Sequence, residues 1–215
     1  MAAATLELKR RLAVYVVTAA RPGPGHAVLA RLAVSGGAGA IQVRAPELDD
    51  EALLPLATEI AADCRAAGAL CIVNNRVRVA AEAGADGVHL GQDDDFPGAR
   101  RLLGPSRLLG VSLTAADQAA AAEAADADYL GVTVFASATK AEARPLGLAG
   151  VRAVAGAARV PVVGIGGISA ANAGQVIRAG AAGVAVISAV ASAADPRAAT
   201  RELAAAVRRA REGRE

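Results

Sequence analysis

Short apolar runs rich in β-branched residues alternate with longer Ala-rich runs of helical period along nearly the whole chain. The first kind predicts strands over 13–18, 40–44, 69–74, 87–90, 108–112, 129–134, 160–165 and 183–187. The second predicts helices over 26–34, 50–67, 76–83, 96–103, 115–124, 148–157, 170–179 and 196–211. Strict β-α alternation implies parallel pairing through right-handed crossovers, and eight such units close a barrel. The expected fold is therefore a single (β/α)8 TIM barrel over residues 1–215, with its core at about 12–212.

A weak internal repeat supports this reading. Gly37-Ala38-Gly39-Ala40-Ile41, Gly84-Ala85-Asp86-Gly87-Val88, Asp126-Ala127-Asp128-Tyr129-Leu130 and Gly180-Ala181-Ala182-Gly183-Val184 share one plan. In each, a helix ends, a tight turn follows and a buried strand begins. Glycine suits the first position because a helix C-terminus often needs a positive φ, which costs glycine little.

Composition narrows the function. A hydrophobic fraction of 54% is ample for a core, but much of it is Ala, so the packing is by small side chains. Aromatic residues make up only 2%, which argues against stacked platforms for single-stranded nucleic acid. A net charge of +2 is spread along the chain, and Arg208, Arg209 and Arg211 read as a solvated helix end. No nucleic-acid partner is expected. Neither an apolar leader nor a run of transmembrane length is visible, so the chain reads as cytoplasmic with no membrane partner. Cys64 and Cys71 lack metal-ligand spacing and read as buried free thiols. Ala-rich exposed helix faces leave room for a homo-oligomer interface.

Candidate chemistry gathers where this fold expects it, at the C-terminal ends of the strands. The second strand ends Gln42-Val43-Arg44 and the third Asn74-Asn75-Arg76. The fourth runs His89-Leu90-Gly91-Gln92 into Asp93, Asp94 and Asp95, the fifth ends at Ser112, and the sixth leads to Ser137-Ala138-Thr139-Lys140. Gly164-Ile165-Gly166-Gly167-Ile168 follows the seventh strand, with Ser169 as the expected helix N-cap, and Ile187-Ser188 ends the eighth. Glycines just past a strand let backbone N–H groups approach an anion, and barrels often hold phosphate between these last two loops. The three aspartates suit a hard cation such as Mg²⁺, or equally the capping of the next helix. Arg44 and Lys140 are cations for a second anionic group, and the loop over 136–145 is long enough for a lid. His89 sits between Val88 and Leu90 and reads first as a hydrogen-bonded barrel histidine. His26 follows Gly-Pro-Gly near a helix start, within reach of the same rim.

In order along the chain, GADGVHLGQ at 84–92 with Asp94, Gly110-Val111-Ser112, Thr139-Lys140, GIGGI at 164–168 and GVAVIS at 183–188 resemble the thiamine phosphate synthase superfamily. The first motif is closest to the synthases; the glycine motif and GVAVIS are shared with the thiazole tautomerases. The resemblance implies a transferase of thiamine biosynthesis, joining hydroxymethylpyrimidine pyrophosphate to thiazole phosphate with release of pyrophosphate. It also implies that Gly166, Gly167, Ile187 and Ser188 bind the thiazole phosphate. Gln42, Arg44, Asn74, Ser112, Ser137, Thr139 and Lys140 would surround the pyrimidine pyrophosphate, with Arg44, Ser112 and Lys140 catalytic. Asp94, with Asn75, would hold Mg²⁺. The alternative is a tautomerase-like isomerase acting on a thiazole phosphate carboxylate, or a divergent barrel binding another phosphorylated ligand. Four positions depart from the synthase pattern: Pro46 stands for a lysine, Asn75 for an aspartate, Thr114 for a histidine, and Ala136-Ser137 opens the loop usually begun Pro-Thr.

Overall fold

A computed structural model describes residues 2–19, 24–136 and 144–213. Eight parallel strands close into a barrel in the order β1 to β8, each paired with its neighbours in sequence and β1 with β8. They are β1 (Val14–Val17), β2 (Ala40–Val43), β3 (Leu70–Asn74), β4 (Gly87–Leu90), β5 (Leu108–Leu113), β6 (Tyr129–Thr133), β7 (Val162–Ile165) and β8 (Gly183–Val186). Among the described residues the helices are α1 (Ala2–Arg11), α2 (His26–Ser35), α3 (Asp50–Ala66), α4 (Val77–Glu82), α5 (Phe96–Leu103), α6 (Ala119–Ala124), α7 (Gly147–Ala157), α8 (Ala173–Arg178), α9 (Ser188–Ala191) and α10 (Pro196–Glu212).

All eight expected β/α pairs are present, with ends displaced by a few residues. The helix expected over 115–124 is a 3₁₀ turn (Ala116–Gln118) leading into α6, because the Gln118 side chain accepts from the N–H groups of Thr114 and Ala115 and tightens the first turn. The helix expected from 170 begins at Ala173, with Asn172 rather than Ser169 at its N-cap. Two helices were not expected. One is α1, whose Leu8 packs with Leu12 on the floor of the barrel interior. The other is α9, a single turn directly after β8.

The four repeated joints share a backbone conformation. Gly37, Gly84, Asp126 and Gly180 all have positive φ, the aspartate included. Asp is among the few non-glycine residues that visit this region readily. Three positions further on, the chain must let a neighbouring strand pass closely. A Cβ on Gly87 would strike the Leu108 carbonyl, and one on Gly183 the Leu12 carbonyl. The first copy carries Ala40 there and the third Tyr129, whose ring enters the barrel interior beside Tyr15.

Two packed regions result. Outside the barrel, Val and Leu from alternate strand positions meet the helices. Inside, Leu12, Tyr15, Val17, Leu70, Ile72, Tyr129 and Val163 fill the lower barrel, in layers typical of the fold. Cys64 and Cys71 are free and buried, as expected. Arg211 is not simply solvated: its guanidinium donates to the Lys9 carbonyl at 3.0 Å and to that of Ala182, tying α10 across the barrel floor. Among the described residues no helix is long and apolar enough to cross a membrane.

Candidate active site

Two adjoining cavities open at the C-terminal end of the barrel. The larger, about 320 Å³, lies between the loops after β7 and β8 and is lined by Thr133, Gly166, Gly167, Ile168, Ser169, Ser188 and Ala189. The smaller, about 170 Å³, is lined by Gln42, Arg44, Asn74, Asn75, His89, Ser112, Tyr15 and Tyr129. Ile165, Ala185 and Ile187 border both, forming a shared apolar wall. An apolar pocket with a few convergent polar groups is the usual form of a small-molecule site.

The glycine loop is built for close approach. Gly166 and Gly167 have φ of 91° and 58°. A Cβ on Gly166 would lie 2.7 Å from the Phe135 carbonyl oxygen, and one on Gly167 2.8 Å from that of Ala136. Asn172 braces the loop, accepting the Ser169 N–H at 2.8 Å and donating to the Gly167 carbonyl at 2.9 Å. Ser169 is not the cap, because a turn over 170–172 separates it from the start of α8. Across the cavity, Ser188 and Ala189 open α9, so their N–H groups have no partner within the helix. Four of the sequence candidates, Gly166, Gly167, Ile187 and Ser188, therefore meet around one chamber.

Five others, Gln42, Arg44, Asn74, Asn75 and Ser112, meet around the second. Arg44 is held by its backbone, whose N–H donates to Thr18 Oγ1 at 3.1 Å. The same hydroxyl lies 2.7 Å from His26 Nδ1, and His26 Nε2 lies 2.8 Å from Glu47 Oε1. Burial pushes the Glu47 carboxyl up, but its backbone hydrogen bond, His26 and the Arg44 charge outweigh this and hold it below the usual carboxylate range. His26 thus supports the Arg44 loop from behind rather than facing the rim openly.

His89 is hydrogen-bonded, as expected for a barrel histidine, yet it also borders the cavity. Its Nδ1 lies 3.1 Å from Tyr129 Oη and its Nε2 3.0 Å from Ser112 Oγ. Tyr129 Oη lies 3.0 Å from Tyr15 Oη, which accepts from Gln42 Nε2 at 2.9 Å. The two tyrosines are fully buried, and burial pushes both phenols well above their ordinary value, so they stay protonated. Sequence reasoning missed both, although Gly110 and Gly131 carry a signal. A Cβ on Gly110 would lie 2.5 Å from His89 Nδ1, and one on Gly131 3.0 Å from His89 Cε1. Glycine inside a strand marks such close approach.

The acidic run divides its work. Asp95 caps α5 through the Gly98 N–H, and Asp93 accepts from Gln92. Asp94 Oδ2 accepts the Gly91 N–H at 2.7 Å, and Asp94 borders an outer groove together with Asn75 and the Arg76–Asp50 ion pair. Asn75 sits at φ 59°, a conformation that Asn and Asp adopt most readily. Among the described residues no group of three His, Cys, Asp or Glu is placed to hold a metal by itself. Thr114 is exposed, donates to Gln118 Oε1 and lines neither cavity. Pro46 is exposed just beyond Arg44. Ser137, Thr139 and Lys140, and most of the expected lid, lie outside the described residues.

This geometry has close relatives. The family profile described as thiamine monophosphate synthase matches residues 14–190. A thiamine-phosphate synthase of Moorella thermoacetica is 49% identical over 202 residues, 92% of this chain and 96% of that protein. One of Laribacter hongkongensis is 51% identical over 175 residues, covering 80% and 82%. Among solved structures, thiamine phosphate pyrophosphorylase from Pyrococcus furiosus superposes with a TM-score of 0.88 at 38% identity, covering 94% of this chain and 98% of that one. The glycine loop, the polar chamber and the whole eight-stranded frame thus fall within one matched stretch, and the chain belongs to the thiamine monophosphate synthase family.

Proposed function

We propose that this chain is a thiamine phosphate synthase: it joins hydroxymethylpyrimidine pyrophosphate to thiazole phosphate and releases pyrophosphate. The observation that carries this reading is the pair of chambers with a common apolar wall. A reaction that joins two rings needs both held side by side, and fixing their geometry replaces a bimolecular encounter with an oriented contact. The glycine-lined chamber suits the phosphate of the thiazole, received by backbone N–H groups around Gly167 and Ser188. The polar chamber suits the pyrimidine, with Gln42 and Ser112 at its ring and Arg44 at the pyrophosphate. Lys140 is assigned to the same anion on the resemblance of its Thr-Lys motif.

The step itself breaks the bond from the pyrimidine methylene carbon to the pyrophosphate oxygen, and the thiazole nitrogen then donates its lone pair to that carbon. No general base is needed, since the nitrogen carries no proton to remove. What the protein must supply is positive charge where pyrophosphate leaves, and a wall that keeps water from the pyrimidine cation. Arg44 offers the first, Ile165, Ala185 and Ile187 the second.

Mg²⁺ fits this site in one way. Asp94 and Asn75 offer hard oxygen donors beside the polar chamber, with one Asp94 oxygen occupied by Gly91 and the other available. One carboxylate and one amide carbonyl suit an ion whose remaining ligands are phosphate oxygens and water. Bound there, Mg²⁺ would neutralise charge on the leaving pyrophosphate. Asn75 keeps the left-handed turn but adds no charge, so the ion is expected to bind weakly until pyrophosphate arrives. Thr114, turned onto Gln118 and away from both chambers, offers nothing for a tautomerase reaction. The substrates are small phosphorylated molecules, and we place the enzyme in the cytoplasm.

Incubating the purified protein with both substrates and Mg²⁺ is expected to yield thiamine phosphate and pyrophosphate in equal amounts, followed by chromatography. Turnover of a thiazole phosphate carboxylate alone, with no coupled product, would replace this reading with the isomerase.

A further inference from the structure

Arg44 borders the polar chamber, and its backbone leaves the barrel where regular strand pairing ends. The Thr18 N–H still donates to the Gln42 carbonyl at 2.8 Å, one step beyond β1. The next N–H on that edge of β2, from Arg44, donates to the Thr18 hydroxyl. The chain then turns, the Leu48 N–H closing on the Ala45 carbonyl at 3.1 Å with Pro46 and Glu47 at the corner. His26, the first residue of α2, sits between the two ends of this turn. Its Nδ1 lies 2.7 Å from Thr18 Oγ1 and its Nε2 2.8 Å from Glu47 Oε1. Thr18 is fully buried and the His26 ring nearly so, while the Glu47 side chain is 43% exposed. A hydroxyl that accepts from Arg44 can still either donate to Nδ1 or accept from it, so the hold depends on no particular proton arrangement there. One imidazole thus ties the start of α2 and the end of β1 to both ends of the Arg44 turn.

We propose that His26 and Glu47 are positioning residues for the departure of pyrophosphate, acting through Arg44 by fixing the turn that carries its guanidinium. Among the described residues that guanidinium has no hydrogen-bonding partner, so its aim is left to the main chain and to attraction by the Glu47 carboxylate. Misplacing such a group by about 1 Å can cost about 100-fold in rate. Neither His26 nor the turn borders the glycine-lined chamber, so the effect should stay on one substrate. What Arg44 does for the reaction rests on the synthase reading; the hold on its backbone does not.

Two readouts separate these parts. Hydrogen exchange at the Arg44 amide, followed by NMR on the ligand-free protein, reports the hold itself. His26→Ala and Glu47→Ala are each expected to speed that exchange about tenfold, the worth of roughly one hydrogen bond. Steady-state kinetics reports the consequence. In His26→Ala, kcat is expected to fall about 10–100-fold, with the KM for thiazole phosphate within about twofold of wild type. Added to Arg44→Ala, the same change should cost less than about a further twofold, because nothing is left to position. Equal losses with and without Arg44, or faster exchange with an unchanged kcat, would overturn the proposal. So would an Arg44 amide that exchanges at the wild-type rate in both variants. If His26→Ala fails to fold, Glu47→Ala, altered at a half-exposed side chain, carries both measurements. A wild-type protein without synthase activity would sink the functional reading and the catalytic half of the proposal together, and the exchange rates would still decide the hold.

Discussion

Gly166→Ala is expected to raise the KM for thiazole phosphate about 100-fold while changing that for the pyrimidine substrate less than threefold. Two effects combine. At φ 91° a Cβ is strained, by roughly 1–2 kcal/mol for a residue forced into left-handed backbone. It would also lie 2.7 Å from the Phe135 carbonyl oxygen and 3.1 Å from Thr133 Cγ2, so the loop must move outward. Backbone N–H groups that receive a phosphate then lose alignment, and hydrogen bonds to charged groups contribute roughly 1.5–3 kcal/mol each. Steady-state kinetics with each substrate varied in turn separates the two chambers. Equal rises in both KM values would show that the loop holds the barrel mouth as a whole rather than one phosphate.

The second large effect falls on the other chamber. Arg44→Ala is expected to lower kcat by about 10²–10³-fold, the usual loss when a preorganised donor to developing negative charge is removed. Binding of thiazole phosphate should stay within twofold by calorimetry. Arg44→Lys should recover only part of the rate, because an ammonium cannot match the planar fork of guanidinium. The variants should fold, since the position is anchored by its main chain to Thr18 and not by the side chain. A kcat near wild type in Arg44→Ala would move the burden of charge neutralisation to Lys140.

What could be read from the sequence was local. Helical and strand periods, and glycines at the joints, need only neighbours in the chain, so the eight units and the four repeated turns were legible. So was the Gly166-Gly167 loop, whose glycines mark both positive φ and close approach. Even Asp126 could be placed, because its copy of the repeat aligns with three glycines. What stayed hidden depends on partners distant in sequence. Tyr15 and Tyr129 look like ordinary strand residues until closure brings their hydroxyls together across 114 positions. The amphipathic character of α1 is weak, and its Leu8 gains a purpose only once the barrel has a floor to plug. His26 gave no local hint of Thr18 and Glu47, which arrive from the loops after β1 and β2. Ser169 was misjudged because a turn over 170–172 intervenes before α8, whose N-cap is Asn172.

The departures from the synthase pattern also take on physical meaning. Thr114 ties down the turn before α6, so that position serves the loop and not the chambers. Asn75 preserves a left-handed turn that most other residues would strain. Neither change touches the glycine loop or the shared apolar wall. Asn75 lines the chamber we assign to the pyrophosphate, where substrate oxygens can make up for a missing carboxylate.

The most direct test of two adjoining chambers is a crystal structure with pyrophosphate, Mg²⁺ and thiazole phosphate bound together. The account predicts the thiazole phosphate between Gly166-Gly167 and Ser188, and pyrophosphate against Arg44 with the ion touching Asp94 and Asn75. A thiazole phosphate seated on Arg44, or both anions in one chamber, would contradict it.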